Sequence, residues 1–206
     1  MNIPGRINLN RGIHVTWDDN LFYLINGMAT QSEILDWAME QLSREGNLVF
    51  PIVLLLGYWA WTNWREARIA APTLGLLILL SDFLGAQLKL MVARVRPCHV
   101  LTQIHELNAC GGTFSMPSNH AVNSATAAAF LAILYPRTGW VTWPLVGFIG
   151  WSRVYLGAHY VSDVMVGWVL GGALGASVGW GLTHWSKFGR VNNMPSTDLK
   201  GGNGII

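Results

Sequence analysis

The sequence predicts an all-α integral membrane protein: about five transmembrane helices form a bundle, preceded by an interfacial amphipathic helix. Three observations predict it. Of the 206 residues, 51% are hydrophobic and only 12% charged, against ~25% charged in an ordinary soluble domain. Uncharged blocks approaching the ~20 residues needed to cross a bilayer recur along the chain. These blocks lack the alternation of barrel strands, and lipid tolerates no unpaired backbone, so they are read as helices.

The first 45 residues carry Asp18, Asp19, Glu33, Asp36 and Glu40, which interrupt any span. This segment is expected at the interface. Thr30 and Glu33 have the spacing of a capping box, and Leu35, Ala38, Met39 and Leu42 then fall on one helical face. A helix lying along the membrane and one packed against the bundle both satisfy that pattern. Residues 1–30 lack the basic start, apolar centre and small-residue cleavage site of a secretory signal, so no cleaved peptide is expected.

The first span, 46–64, has no charge, and the second, 69–88, has only Asp82. The third and fourth, 121–136 and 139–152, are shorter and uncharged; the fifth, 164–183, is rich in Gly, Ala, Val and Trp. The tail from Phe188, with its Asn, Gly and Ser, is expected to be disordered. Loops are short and no repeat of fixed period occurs, so residues 1–206 are read as one domain with 46–185 as its transmembrane core.

Charges at bilayer depth are costly and mark sites. If the second span runs outward, Lys89 stands at its exit, the third span begins at His120, the fourth ends at Arg153, and the fifth begins near His159 and Asp163. Alternating helix directions put all of these ends on one side of the membrane. Residues up to 74 positions apart thus converge on one pocket mouth.

Local spacing sharpens this expectation. Lys89 and Arg96 are seven residues apart, two helical turns, so both face one way if the helix continues to Pro97. His159 and Asp163 are four apart, which places them on one helical face, where a carboxylate can take the imidazole N–H and fix its tautomer. Ser118 is a natural N-cap, and the free N–H groups of a helix start attract phosphate. Singly, each has a structural reading: headgroup anchors, a capping histidine, a structural hydrogen bond. Together they describe an anion site.

Three motifs carry a family resemblance. KLMVARVRP (89–97) gives Lys, six residues, Arg-Pro; PSNH (117–120) is similar to a PSGH pattern; SRVYLGAHYVSD (152–163) gives Ser-Arg, five residues, His, three residues, Asp. In order and spacing the chain resembles the type 2 phosphatidic acid phosphatase (PAP2) superfamily, whose site is shared with vanadium-dependent haloperoxidases. The resemblance implies that His159 attacks phosphorus to give a phosphohistidine, that Asp163 orients it, and that His120 protonates the leaving oxygen. It implies that Lys89, Arg96, Ser118, Arg153 and the backbone at Asn119 hold the phosphoryl oxygens, a task needing no metal or cofactor. Asn119 stands where the family usually has glycine, and a left-handed backbone there is least penalised for Asn among non-glycine residues.

Cys98, His99, His105 and Cys110 match no compact zinc spacing, and no metal is expected there. Asp82, two turns before Lys89, is either its partner or a helix contact. Trp59, Trp61, Trp64, Trp140, Trp143 and Trp185 lie near span ends, as interfacial anchors do.

The face opposite the site carries Arg65, Arg68, Arg137, Lys187, Arg190 and Lys200; the site face, motif cations aside, has Arg6, Arg11, Arg44 and Arg94. That asymmetry predicts a site facing the periplasm or exterior of a cell membrane. An oxidising exterior would let Cys98 and Cys110 pair; two free thiols are the alternative.

A site at the membrane surface suits a lipid phosphate whose tail stays in lipid. Undecaprenyl diphosphate fits an outward-facing enzyme of this family best, with lipid A 1-phosphate, phosphatidylglycerophosphate and phosphatidic acid as alternatives. A non-catalytic phospholipid-binding or transport protein is the competing class, though both histidines and the aspartate are present. Five apolar spans argue against a soluble haloperoxidase, and no nucleic-acid partner is expected.

Overall fold

The computed structural model describes residues 16–107 and 110–185. Among them the fold is all-α, with eight helices: α1 Thr16–Asn26, α2 Glu33–Ser43, α3 Glu45–Thr62, α4 Trp64–Val92, α5 Pro97–Val100, α6 Asn119–Leu134, α7 Gly139–Tyr155 and α8 Val161–His184. A 3-10 turn, Pro136–Thr138, joins α6 to α7. The expected tail from Phe188, and Arg6, Arg11, Lys187, Arg190 and Lys200, lie outside the described residues.

Helices α3, α4, α6, α7 and α8 occupy the five predicted blocks. With 29 and 24 residues, α4 and α8 are each long and apolar enough to cross a bilayer. At 16 and 17 residues, α6 and α7 fall short of the ~20 that span the hydrocarbon. Pro136, which has no N–H to continue the ladder, follows Tyr135, the C-cap of α6. Leu76, Leu79 and Phe83 on α4 and Val169 and Trp180 on α8 are exposed, an apolar outer surface suited to lipid.

The most intimate helix pair is α6 with α8. Gly167, Gly171, Gly175 and Gly179 recur every fourth residue and are all buried. A Cβ added at Gly171 would lie 2.1 Å from the carbonyl oxygen of Val122, so only glycine lets the two backbones touch. This contact sets the starts of both helices side by side, and the Ser118 N–H donates to the Asp163 carbonyl at 3.1 Å. Ala70, Leu74 and Leu77 of α4 pack on Phe130 and Leu134 of α6 in the other half of the bundle.

The N-terminal helices close over the end where the site lies. On α1, Asp18, Phe22 and Asn26 recur every fourth residue and form one buried stripe. Phe22 packs on Tyr160, ring centroids 5.8 Å apart. The Asn26 amide donates to the carbonyls of Tyr155 and His105, both at 2.8 Å, and its oxygen accepts the His105 N–H. Helix α2 is amphipathic as predicted: Leu35, Met39 and Leu42 pack with Tyr155 and Leu156, while Ile34 and Trp37 stay exposed.

Its cap lies two residues later than the capping-box spacing predicts. Ser32 is the N-cap and its hydroxyl accepts from the Leu35 N–H. Thr30 takes a left-handed conformation, φ 67°, and its N–H donates to Asp36 Oδ1 at 3.1 Å. At the opposite end, Trp61, Trp64, Trp140 and Trp185 are exposed near helix termini, as anchoring residues are.

Candidate active site

The C-terminal ends of α4 and α7 and the N-terminal ends of α6 and α8 meet at one end of the bundle, as the alternating directions predict. One expected detail is corrected. Helix α4 stops at Val92, because Ala93 adopts the left-handed conformation (φ 49°) and its N–H caps the Lys89 carbonyl at 2.9 Å. Lys89 and Arg96 therefore do not share a helix face.

Arg96 instead comes from an extended segment. Val95 bridges Phe114, the Arg96 N–H donates to the Thr113 carbonyl at 3.1 Å, and the Ser115 N–H donates to the Arg94 carbonyl at 2.7 Å. The Cys98–Cys110 disulfide, with Cα atoms 6.2 Å apart, ties the two sides of this loop together. Held so, Arg96 Nη1 donates to the Ala158 carbonyl at 3.1 Å and lies 3.3 Å from His159 Nε2.

His159 sits in the turn between α7 and α8, not on α8, which begins at Val161. Gly157 makes that turn with φ 81°, where a Cβ would meet the His105 carbonyl oxygen at 3.2 Å. The imidazole is 1% exposed. Its Nδ1 lies 3.6 Å from Asp163 Oδ2, beyond the ~3.2 Å of a good hydrogen bond. The two are neighbours in charge, and Nδ1 has no hydrogen-bond partner.

Asp163 is fixed by other groups. The Tyr160 N–H donates to its Oδ2 and Arg94 Nη1 to its Oδ1, each at 2.9 Å. Burial pushes the His159 pKa well below its ordinary value, and the charges of Arg96, Arg153 and Lys89 push the same way. Both effects favour the neutral ring.

His120, in the first turn of α6, is half-buried, and its Nε2 lies 3.1 Å from the Ser43 carbonyl. A carbonyl only accepts, so Nε2 carries the proton. Arg153 Nη1 donates to the Ser43 hydroxyl. The charges of Arg96, Arg153 and Asp163 all act on Lys89. Ser118 is the N-cap of α6, but its buried hydroxyl makes no capping bond and has no partner.

Asn119 is helical, so no left-handed backbone is needed where the family usually has glycine. Its side chain turns to α4, donating to Asp82 Oδ1 at 2.8 Å, in space that a Cβ on Gly85 would invade. Asp82 also lies 3.4 Å from the Asn123 amide, so it is a contact between α4 and α6. Cys98, His99 and Cys110 cluster, but the sulfurs are bonded to each other; His105 is held at the backbone by Asn26.

Three residues at the site escape sequence reasoning: Asp18, Ser43 and Arg94. Arg94 reads as an exposed loop cation yet is only 8% exposed, bonded to Asp18 and Asp163. The fourfold spacing of Asp18, Phe22 and Asn26 is a signal for the α1 stripe. Ser43 contributes its backbone as well as its side chain, and no local pattern marks it.

The sequence model of the PAP2 superfamily matches residues 70–187, more than half of the chain. The chain belongs to the PAP2 superfamily. It is a phosphoric ester hydrolase of that superfamily. Among curated relatives, it is 29% identical over 161 residues to an undecaprenyl-diphosphatase of Sulfolobus acidocaldarius, covering 77% of this chain and 75% of that protein. It is 37% identical over 190 residues to phosphatidylglycerophosphatase B of Bacillus subtilis, covering 73% and 86%. The crystal structure of Aquifex aeolicus LpxE superposes with a TM-score of 0.66 at 24% identity, covering 81% of this chain and 96% of that one. The PAP2 fold, an all-α membrane bundle, is thus shared.

Proposed function

We propose that this PAP2 enzyme removes phosphate from a membrane lipid through a phosphohistidine on His159, with residues 1–206 acting as one domain. The observation that carries the reading is Arg96 Nη1 at 3.3 Å from His159 Nε2, beside an imidazole kept neutral by burial. A phosphoryl group bound by Arg96 then lies against the nitrogen that attacks it.

In the proposed reaction the negative charge of the bound phosphate favours the imidazolium form of His120. His159 Nε2 then forms a bond to phosphorus while the P–O bond to the leaving group breaks, and His120 gives its Nε2 proton to the departing oxygen, becoming neutral. Asp163 stabilises the positive charge that develops on the His159 ring. Lys89, Arg96, Arg153, the Ser118 hydroxyl and the first N–H groups of α6 neutralise the equatorial oxygens. His120 next takes a proton from water, the oxygen attacks phosphorus, the P–N bond breaks, and inorganic phosphate leaves. Each step draws on groups of the protein.

An apolar cavity of about 650 Å³ supports a lipid as substrate. It is lined by residues of α3, α4, α6 and α7, including Leu56, Leu74, Ile78 and Ala127, and reaches His120. The leaving oxygen at His120 and the tail in this cavity belong to one molecule. Undecaprenyl diphosphate is the first candidate, supported by similarity to the Sulfolobus relative and by the outward orientation proposed for the site. Arg65, Arg68 and Arg137 at the far end favour that orientation, more so now that Arg94 is an internal ion-pair partner. Lipid A and phosphatidylglycerophosphate are the competing substrates.

The test is phosphate release by the purified protein in detergent with a chelator, from undecaprenyl diphosphate, lipid A, phosphatidylglycerophosphate and phosphatidic acid. Release that His159→Ala abolishes is the expected result, and the preferred lipid names the substrate. No release from any of the four by folded protein would overturn the reading in favour of lipid binding without hydrolysis.

A further inference from the structure

We propose that Asp18 and Arg94 are positioning residues for phosphoryl transfer: their buried ion pair aims the Asp163 carboxylate at His159 and preserves its charge. The inference rests on reading His159 and Asp163 as the catalytic pair.

The geometry is a single guanidinium shared between two carboxylates. Arg94 Nη1 donates to Asp163 Oδ1 at 2.9 Å and to the Ser162 hydroxyl at 2.5 Å, while Nη2 donates to Asp18 Oδ2 at 2.7 Å. Asp18 and Asp163 are both 0% exposed and Arg94 is 8% exposed. The planar fork lies 3.9 Å from the centre of the Tyr160 ring. Asp18 accepts the Ser162 N–H at 3.0 Å and contacts its hydroxyl, so α1 grips the first turn of α8 at the residue next to Asp163.

Two consequences reach the chemistry. With Arg94 on Oδ1 and the Tyr160 N–H on Oδ2, the carboxylate plane is fixed and Oδ2 is the oxygen beside His159 Nδ1. The charge balance matters equally. Arg94 with Asp163 alone would be neutral, leaving the imidazole with the cations Arg96, Arg153 and Lys89 around it. Asp18 adds a second negative charge, so the three groups together remain at −1 when the His159 ring becomes cationic on bonding phosphorus. A lysine cannot replace the arginine, because a point ammonium cannot span two carboxylates as a fork does.

The test uses full-length protein in detergent, with phosphate release from undecaprenyl diphosphate and phosphatidic acid micelles and ¹⁵N-histidine NMR of the resting protein. Asp18→Asn, and separately Arg94→Lys, lower kcat ~10–100-fold with KM changed less than ~2-fold, the pattern of a misaimed group. Added to Asp163→Asn, the Asp18→Asn change costs less than ~2-fold further, since the group it acts through is gone. The His159 ring-nitrogen resonances shift in both single variants. Folded variants with unchanged kcat and unshifted His159 resonances overturn the proposal, as do fully additive losses on the Asp163→Asn background. If the wild-type protein releases no phosphate, the phosphatase reading fails by itself. The NMR comparison then decides alone: shifted His159 resonances uphold the positioning role and unshifted ones reject it.

Discussion

His120 Nε2 lies 3.1 Å from the carbonyl oxygen of Ser43, while the Ser43 hydroxyl accepts from Arg153. The junction between α2 and α3 thus holds two groups that the proposed reaction needs at the phosphate. A bound phosphoryl group competes with Ser43 for both. Vanadate, which mimics the transferring group, is expected to raise amide exchange at residues 44–47; hydrogen exchange followed by mass spectrometry measures it. Equal exchange with and without saturating vanadate would show that the junction stays in place.

Arg96 is expected to be the most costly of the phosphate-binding cations to remove. Its Nη1 serves both the Ala158 carbonyl and the His159 nitrogen proposed to attack phosphorus. Arg96→Ala should lower kcat/KM by ~10²–10³-fold, comparable to losing one strong oxyanion donor. Arg96→Lys should recover little, since one ammonium cannot make the same pair of contacts. Steady-state phosphate release distinguishes the two.

The depressed pKa of His159 makes a stability prediction whose sign follows from proton counts. Unfolded His159 takes up a proton near pH 6.5, whereas the folded residue resists doing so to lower pH. Below pH 6.5 the unfolded state therefore binds more protons, and the stabilising contribution, complete above that value, is lost as pH falls toward the folded pKa. Melting temperatures between pH 7.5 and 5 should fall less steeply for His159→Asn than for the wild type. Parallel curves would count against a neutral buried imidazole.

Gly171→Ala tests the helix pair that frames the site. A Cβ 2.1 Å from the Val122 oxygen must push α6 from α8, at a cost of ~1–3 kcal/mol. Because Ser118 and Asp163 lie at the starts of these helices, activity should drop along with the melting temperature. Gly181, whose Cβ would meet nothing within 4 Å, is the control: Gly181→Ala should leave both unchanged.

Much of the fold was legible because lipid imposes a simple grammar: the five apolar blocks became helices, and their alternating directions brought Lys89, His120, Arg153 and Asp163 to one end. Failures arose where geometry depends on distant partners. The break at Ala93 occurs without glycine or proline, so the sequence extends the helix to Arg96 although it ends before it. Asp18 is buried only because Arg94 and Ser162, 76 and 144 positions away, lie against it. The family's glycine at this place says nothing of the Asn119 side chain, whose position Gly85 and Asp82 on α4 determine.

The α1 stripe has a consequence for the order of biosynthesis. Asp18, Phe22 and Asn26 leave the ribosome early, yet Tyr155, Tyr160 and Ser162, which they hold, are made only at the end of the fourth of the bundle helices and beyond it. Asp18 and Asn26 must therefore remain polar and hydrated at the surface while those helices insert. Docking of α1 is a late step, so the site is completed by α1 only once the start of α8 has been translated.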